Sequence, residues 1–189
     1  MKDLSYRFVQ FIFRMFYRII FRAEVIGKEN IPKKGAYIIA SNHLSNLDPP
    51  LIGCFVGRDD VYYMAKEEMF GNKIWGAIFK YLKMIPVRRG TNDKDALFHA
   101  LKVLGEGHSL LIFPEGTRRK NDKINPKKGV GFLAVQSKTQ VIPVKVVNTQ
   151  NFQKFRKIKL IIGKPMQIDI EKDYLQISKE ILEIIEAMK

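Results

Sequence analysis

The chain has 189 residues, 46% hydrophobic and 28% charged, which excludes a disordered or fibrous polymer and leaves room for one globular domain with a sizeable core. Lys and Arg number 33 against 19 Asp and Glu, and the net charge of +14 points to anionic partners: nucleic acid, anionic lipid or acidic protein. The single cysteine, Cys54, excludes an intrachain disulfide, and no Cys/His cluster has the spacing of a metal site.

Residues 4–23 are rich in aromatics and interrupted by Arg7, Arg14, Arg18 and Arg22. These charges rule out the uninterrupted apolar core of a signal peptide and the apolar run of a spanning helix. At helical spacing the arginines fall within about 80° of one another. Phe8, Val9, Ile12, Phe16, Ile19 and Ile20 spread over the opposite side. The pattern predicts an amphipathic helix, residues 1–23, lying in a membrane surface. The plainer alternative is a helix docked on the protein's own core with its arginines in solvent.

Residues 24–189 read as one α/β domain. Glu24–Gly27 is a short strand, and Ile31–Gly35 a turn. Ala36–Ala40 is a buried strand, followed by the polar loop Ser41–Asp48 and then by a helix through Val56. Asp48, with prolines after it, occupies a favoured helix-capping position. Asp60–Ala65 is a second strand. Asn72–Lys83 is a helix whose Trp75, Ile78 and Phe79 share one apolar face that could line a groove. Met84–Val87 is extended, and Asp93–Glu106 is helical with His99 as a structural passenger. Ser109–Phe113 is a strand leading into Pro114-Glu115-Gly116-Thr117-Arg118-Arg119. A helix over Gly129–Lys138, a strand over Val141–Val147, an edge-like strand over Lys157–Ile162 and a closing helix over Tyr174–Met188 complete the chain. Strands alternating with helices predict a layered α/β fold.

Chemistry concentrates in two strand-end loops. A His and an Asp five residues apart, His43 and Asp48, can share a hydrogen bond through one imidazole nitrogen. The other nitrogen is then free to take a proton, the base-and-orienter half of a triad. Alone, such a pair is more often only a satisfied polar contact, with Asp48 merely capping its helix. The Glu115 loop strengthens the catalytic reading, because two such loops would meet on one edge of a sheet.

Four stretches occur in a set order: Asn42-His43 with Asp48 five residues after the histidine; Ile85-Pro86-Val87-Arg88-Arg89-Gly90; Phe113-Pro114-Glu115-Gly116-Thr117-Arg118; and Val141-Ile142-Pro143-Val144. Together, over residues 36–148, they resemble the glycerolipid acyltransferase family, most closely the 1-acylglycerol-3-phosphate acyltransferases. The resemblance implies a mixed sheet flanked by helices, of the glycerol-3-phosphate acyltransferase-like kind, held to the membrane from its N-terminus. It implies His43 as general base and Asp48 as the residue that holds its tautomer. It implies an acceptor-phosphate site drawn from Arg89, Arg88, Glu115, Gly116, Thr117, Arg118 and Lys128. Arg119 stands where the family often carries Ser and takes no role. The expected reaction passes a fatty acyl group from a thioester to the free hydroxyl of lysophosphatidic acid, giving phosphatidic acid for phospholipid biosynthesis. No cofactor or metal is expected; acyl-CoA or acyl-[acyl-carrier protein] is the co-substrate. A secondary hydroxyl is a poor nucleophile at neutral pH, and histidine, with an ordinary pKa of about 6.5, suits the task of activating it. No G-x-S-x-G elbow is present, which fits direct attack without an acyl-enzyme. Expected partners are an anionic membrane surface, lysophosphatidic acid and the thioester donor, with no nucleic acid. The expected location is the cytoplasmic face of the cell membrane, as a peripheral, monotopic protein. The rival readings are an acyltransferase for another lyso-lipid and a non-catalytic binder of anionic lipid. A nucleic-acid binder suits the charge but has no recognition motif.

Overall fold

The computed structural model describes residues 4–88, 93–119 and 126–189. Among these, seven strands run over Glu24–Ile26 (β1), Ile38–Ser41 (β2), Val61–Lys66 (β3), Met84–Val87 (β4), Ser109–Ile112 (β5), Val141–Val147 (β6) and Lys159–Ile162 (β7). Six α-helices run over Leu4–Ile20 (α1), Asp48–Val56 (α2), Lys73–Tyr81 (α3), Lys94–Gly105 (α4), Gly129–Ser137 (α5) and Tyr174–Ala187 (α6). The strands form one sheet in the order β1-β7-β6-β2-β5-β3-β4. Neighbours are parallel except β6 and β7, so the sheet is mixed, as expected.

Strand alternation separates two apolar layers. Ile39, Leu111, Ile142 and Val144 face one side and pack with Tyr17, Phe21, Leu51, Ile52 and Phe55 from α1 and α2. Ile38, Ala40, Leu110, Ile112 and Val141 face the other and pack with α4, α5 and α6 through Ala100, Leu104, Leu133, Ile181 and Ile185. The central strands are buried on both faces, which is why β2 and β5 read as continuous apolar runs.

The edge position predicted for residues 157–162 is corrected. β7 lies between β1 and β6, and the sheet edges are β1 and β4. The Lys/Ile mixture misled because only Lys159 carries charge within the strand; Leu160, Ile161 and Ile162 are buried. β4 carries Pro86 without penalty, since an edge strand needs no donor on its outer side.

The N-terminal helix forms but stops at Ile20, so Arg22 lies beyond its end, with a left-handed φ of 47°. α1 docks on α2 by a row of polar-tipped side chains, Tyr6, Gln10 and Tyr17. Gln10 Nε2 donates to the carbonyl of Arg58 at 2.8 Å, and Tyr17 Oη donates to that of Leu47 at 2.8 Å. Arg18 lies over the Phe55 ring, 5.7 Å from its centroid, so the arginine row runs beside the docked face. Leu4, Phe8, Phe11, Ile12 and Ile19 point away from the protein. The helix is docked with Arg7, Arg18 and Arg22 exposed, as the plainer alternative expects, and the structure exposes the apolar side as well. No described helix is long and apolar enough to cross a membrane.

Candidate active site

β2 and β5 are adjacent and parallel, with Ala40 opposite Ile112. Their C-terminal ends therefore deliver the His43 loop and the Glu115 loop to the same edge of the sheet. Asn42 fixes the first loop. Its side-chain Nδ2 donates to the Val146 carbonyl at 2.9 Å, and its Oδ1 accepts from the Val146 N–H at 2.8 Å. This two-point clamp ties the end of β2 to β6. Sequence reasoning gave Asn42 no role, because its partner is 104 residues away.

His43 is 6% exposed and Asp48 fully buried. His43 Nδ1 lies 2.8 Å from Asp48 Oδ2. A buried carboxylate accepts here, so the proton is assigned to Nδ1 and the Nε2 lone pair is left available. The ring stacks on Phe113 with centroids 4.0 Å apart and an interplanar angle of 17°, so its plane is fixed as well. Asp48 Oδ2 also accepts from the N–H groups of Leu44 and Ser45, both at 2.7 Å. Three donors on one oxygen hold the carboxylate in a single orientation.

These bonds correct the capping expectation. Asp48 is the first residue of α2, the cap position is Leu47, and no side chain caps that helix. The carboxylate turns back onto the loop instead of onto the helix N–H groups. An His-Asp spacing of five residues is what a loop closing on the first helical residue requires.

The second loop turns tightly at Gly116, whose N–H donates to the Phe113 carbonyl at 2.9 Å and whose φ is +67°. A side chain at that position would be strained, which explains the glycine. Glu115 is 6% exposed, whereas Gly116, Thr117 and Arg118 are exposed on the loop. Lys128 is exposed at the start of α5. Arg88, one residue past β4, lies within 4 Å of three carboxylates: Glu67 at 3.9 Å, Asp93 at 3.7 Å and Asp95 at 3.5 Å. Arg89 and Gly90 lie outside the described residues.

Beside His43 opens an apolar chamber of about 590 Å³. Its walls come from α1 (Tyr6, Phe13), α2 (Pro50, Cys54) and β3 (Tyr63, Met64), with His43 and Phe113 where it meets the loops. Trp75, Ile78 and Phe79 do not line it; Trp75 is 55% exposed on the surface. The chamber lies beneath α1 and not along that face of α3, a placement no local pattern could reveal because α1 and β3 are far apart in the chain. Burial pushes the Cys54 thiol up to about 12, so although it faces the chamber it stays protonated at neutral pH. No group of His, Cys, Asp and Glu among the described residues could hold a metal.

An oriented imidazole with a free nitrogen stands at a strand-end edge beside an apolar chamber, an arrangement that can take a proton from a polar group. The family described as Acyltransferase matches residues 22–147, and the chain belongs to that family. It is 32% identical over 146 residues to the 1-acyl-sn-glycerol-3-phosphate acyltransferase of Bacillus subtilis (strain 168), covering 76% of this chain and 73% of that protein. It is 37% identical over 131 residues to the protein of the same name from Borreliella burgdorferi, covering 68% of this chain but only 52% of the relative. Its fold matches the crystal structure of the 1-acyl-sn-glycerophosphate (LPA) acyltransferase, PlsC, from Thermotoga maritima with a TM-score of 0.75 at 25% identity, over 100% of this chain and 85% of that one.

Proposed function

We propose that this acyltransferase esterifies the free hydroxyl of a 1-acylglycerol 3-phosphate with a fatty acyl group from a thioester, giving phosphatidic acid. The observation that carries the reading is the His43 imidazole, oriented by Asp48 at 2.8 Å and standing at the wall of the apolar chamber. The relatives' names supply the acceptor class. His43 Nε2 takes the hydroxyl proton as the acceptor oxygen attacks the thioester carbonyl. The tetrahedral intermediate collapses, the C–S bond breaks, and the imidazolium returns its proton to the departing thiolate. The products are the ester and a free thiol, with no acyl-enzyme. Asp48 stabilises the imidazolium that forms between the two proton transfers.

The chamber takes the acyl chain, since apolar walls favour a hydrocarbon by about 0.8 kcal/mol per buried CH₂. Arg118 and Lys128, exposed near the Glu115 loop, offer the charge for the acceptor phosphate, together with Arg89. Acyl-CoA and acyl-[acyl-carrier protein] present the same thioester, and both are anionic partners for a chain of +14. The apolar side of α1 lies in the membrane that holds the acceptor, on the cytoplasmic face where such thioesters are made, and the protein is peripheral there.

The test is a product assay with lysophosphatidic acid and each donor in turn. Phosphatidic acid and an equal amount of free thiol are expected with at least one donor. Vesicle binding without product from either donor would replace this reading with that of an anionic-lipid binder.

A further inference from the structure

Arg119 stands one residue past the Glu115–Arg118 loop and joins three parts of the molecule. Its backbone N–H donates to the His43 carbonyl at 2.8 Å. Its Nε donates to Glu115 Oε1 at 2.8 Å, and its Nη2 to Glu186 Oε1 at 2.7 Å. The bridge to Glu115 is shielded from water and the bridge to Glu186 partly so. The Arg119 side chain is 14% exposed, that of Glu115 6% and that of Glu186 27%. Such pairs escape most of the screening that makes surface ion pairs weak.

Glu186 lies in the last turn of α6, where the carbonyl end of the helix disfavours a negative charge. Arg119 offsets that cost and draws the helix end to the site. Lys145 Nζ holds the same turn from β6, donating to the carbonyls of Glu186 at 2.6 Å and Met188 at 2.9 Å. With Oε1 engaged, Glu115 is left with Oε2, which is buried and has no partner among the described residues. A buried carboxylate oxygen without a protein partner keeps its acceptor capacity unspent.

We infer that Arg119 is a positioning residue for the acceptor: by bridging Glu115 to Glu186 it sets the Glu115 carboxylate so that Oε2 receives a hydroxyl of the lyso-glycerolipid head group. Arg119 itself does not touch the acceptor. The arrangement makes the acceptor site depend on the last turn of α6, and it rests on the acceptor reading of the Glu115 loop given above.

The experiment measures both substrates' steady-state constants and melting temperatures for Glu186→Gln, Glu186→Ala, Arg119→Lys, Arg119→Ala and the double Ala variant. Glu186→Ala should raise the acceptor KM about fivefold, with kcat and donor KM within about twofold of wild type. Arg119→Ala should do at least as much, and the double variant should add little to it, because both remove one bridge. Arg119→Lys, which reaches one carboxylate at a time, should recover part of the loss. Should Arg119→Ala fold poorly, Glu186→Gln leaves the fold intact and tests the same link. Unchanged acceptor KM in a folded Glu186→Ala variant overturns the inference, as does an equal rise in both substrates' KM with a fall in melting temperature. A wild-type protein that makes no phosphatidic acid would instead defeat the acceptor reading itself.

Discussion

At the scale of single residues, catalysis should separate from folding at His43. The His43 ring contributes one face against Phe113 and one bond to Asp48. His43→Ala should therefore lower kcat by roughly 10²–10⁴-fold while the melting temperature changes little. Asp48→Asn should fall between wild type and that variant. An amide oxygen can still accept from the Leu44 and Ser45 N–H groups, so the loop survives, but the charge beside the imidazolium is gone. Near-normal turnover of folded His43→Ala would remove the general-base mechanism. Cys54 gives a second prediction. Its thiol, raised to about 12 by burial, is overwhelmingly protonated at pH 8, and the thiolate is the form that alkylates. Iodoacetamide at pH 8 should leave the folded enzyme unlabelled and active, and Cys54→Ala should turn over normally. Labelled, inactivated enzyme would show that the chamber opens and that the thiol is not inert.

Among elements, α5 and α6 pack closely against one another. A Cβ built at Gly131 would lie 2.1 Å from the backbone carbonyl oxygen of Tyr174. Backbone cannot yield as a side-chain tip can, so Gly131→Ala should push α6 outward. The expected cost is about 1–3 kcal/mol, read as a lower midpoint in urea. Because α6 carries Glu186, a rise in acceptor KM should accompany it. An unchanged midpoint would mean that the two helices separate freely. Elements were largely legible in the sequence. β4 and β6 occupy Met84–Val87 and Val141–Val147 as read, and most other helices and strands differ by one to three residues at an end; Asn72, Asp93 and Asp173 cap the starts of α3, α4 and α6. β7 was misplaced because period and composition describe a strand's faces but not its neighbours.

Taken whole, the molecule presents its apolar helix side outward and its arginines alongside the docked face. Phe8 is 64% exposed and Ile19 65%, an apolar stripe unlike an ordinary soluble surface. Flotation with liposomes should rise with anionic lipid and fall with salt. Replacing Phe8, Phe11 and Ile12 by Ser should weaken binding at least about tenfold without lowering the melting temperature, since none of the three packs on the core. Equal flotation of that variant would place the membrane contact elsewhere. What the sequence determined by itself is what short-range physics encodes: hydrophobic period, turn residues, the five-residue reach from His43 to Asp48, and the glycine at the Glu115 turn. Those are set within a dozen residues, where geometry follows from the backbone alone. Only the tertiary structure decided the rest. It brought Val146 to Asn42, placed the chamber under α1 instead of along α3, turned Asp48 onto its loop, and joined Glu115 to Glu186 through Arg119. Each of these links residues on separate elements, and such contacts are fixed by the packing of the whole sheet, which no local pattern records.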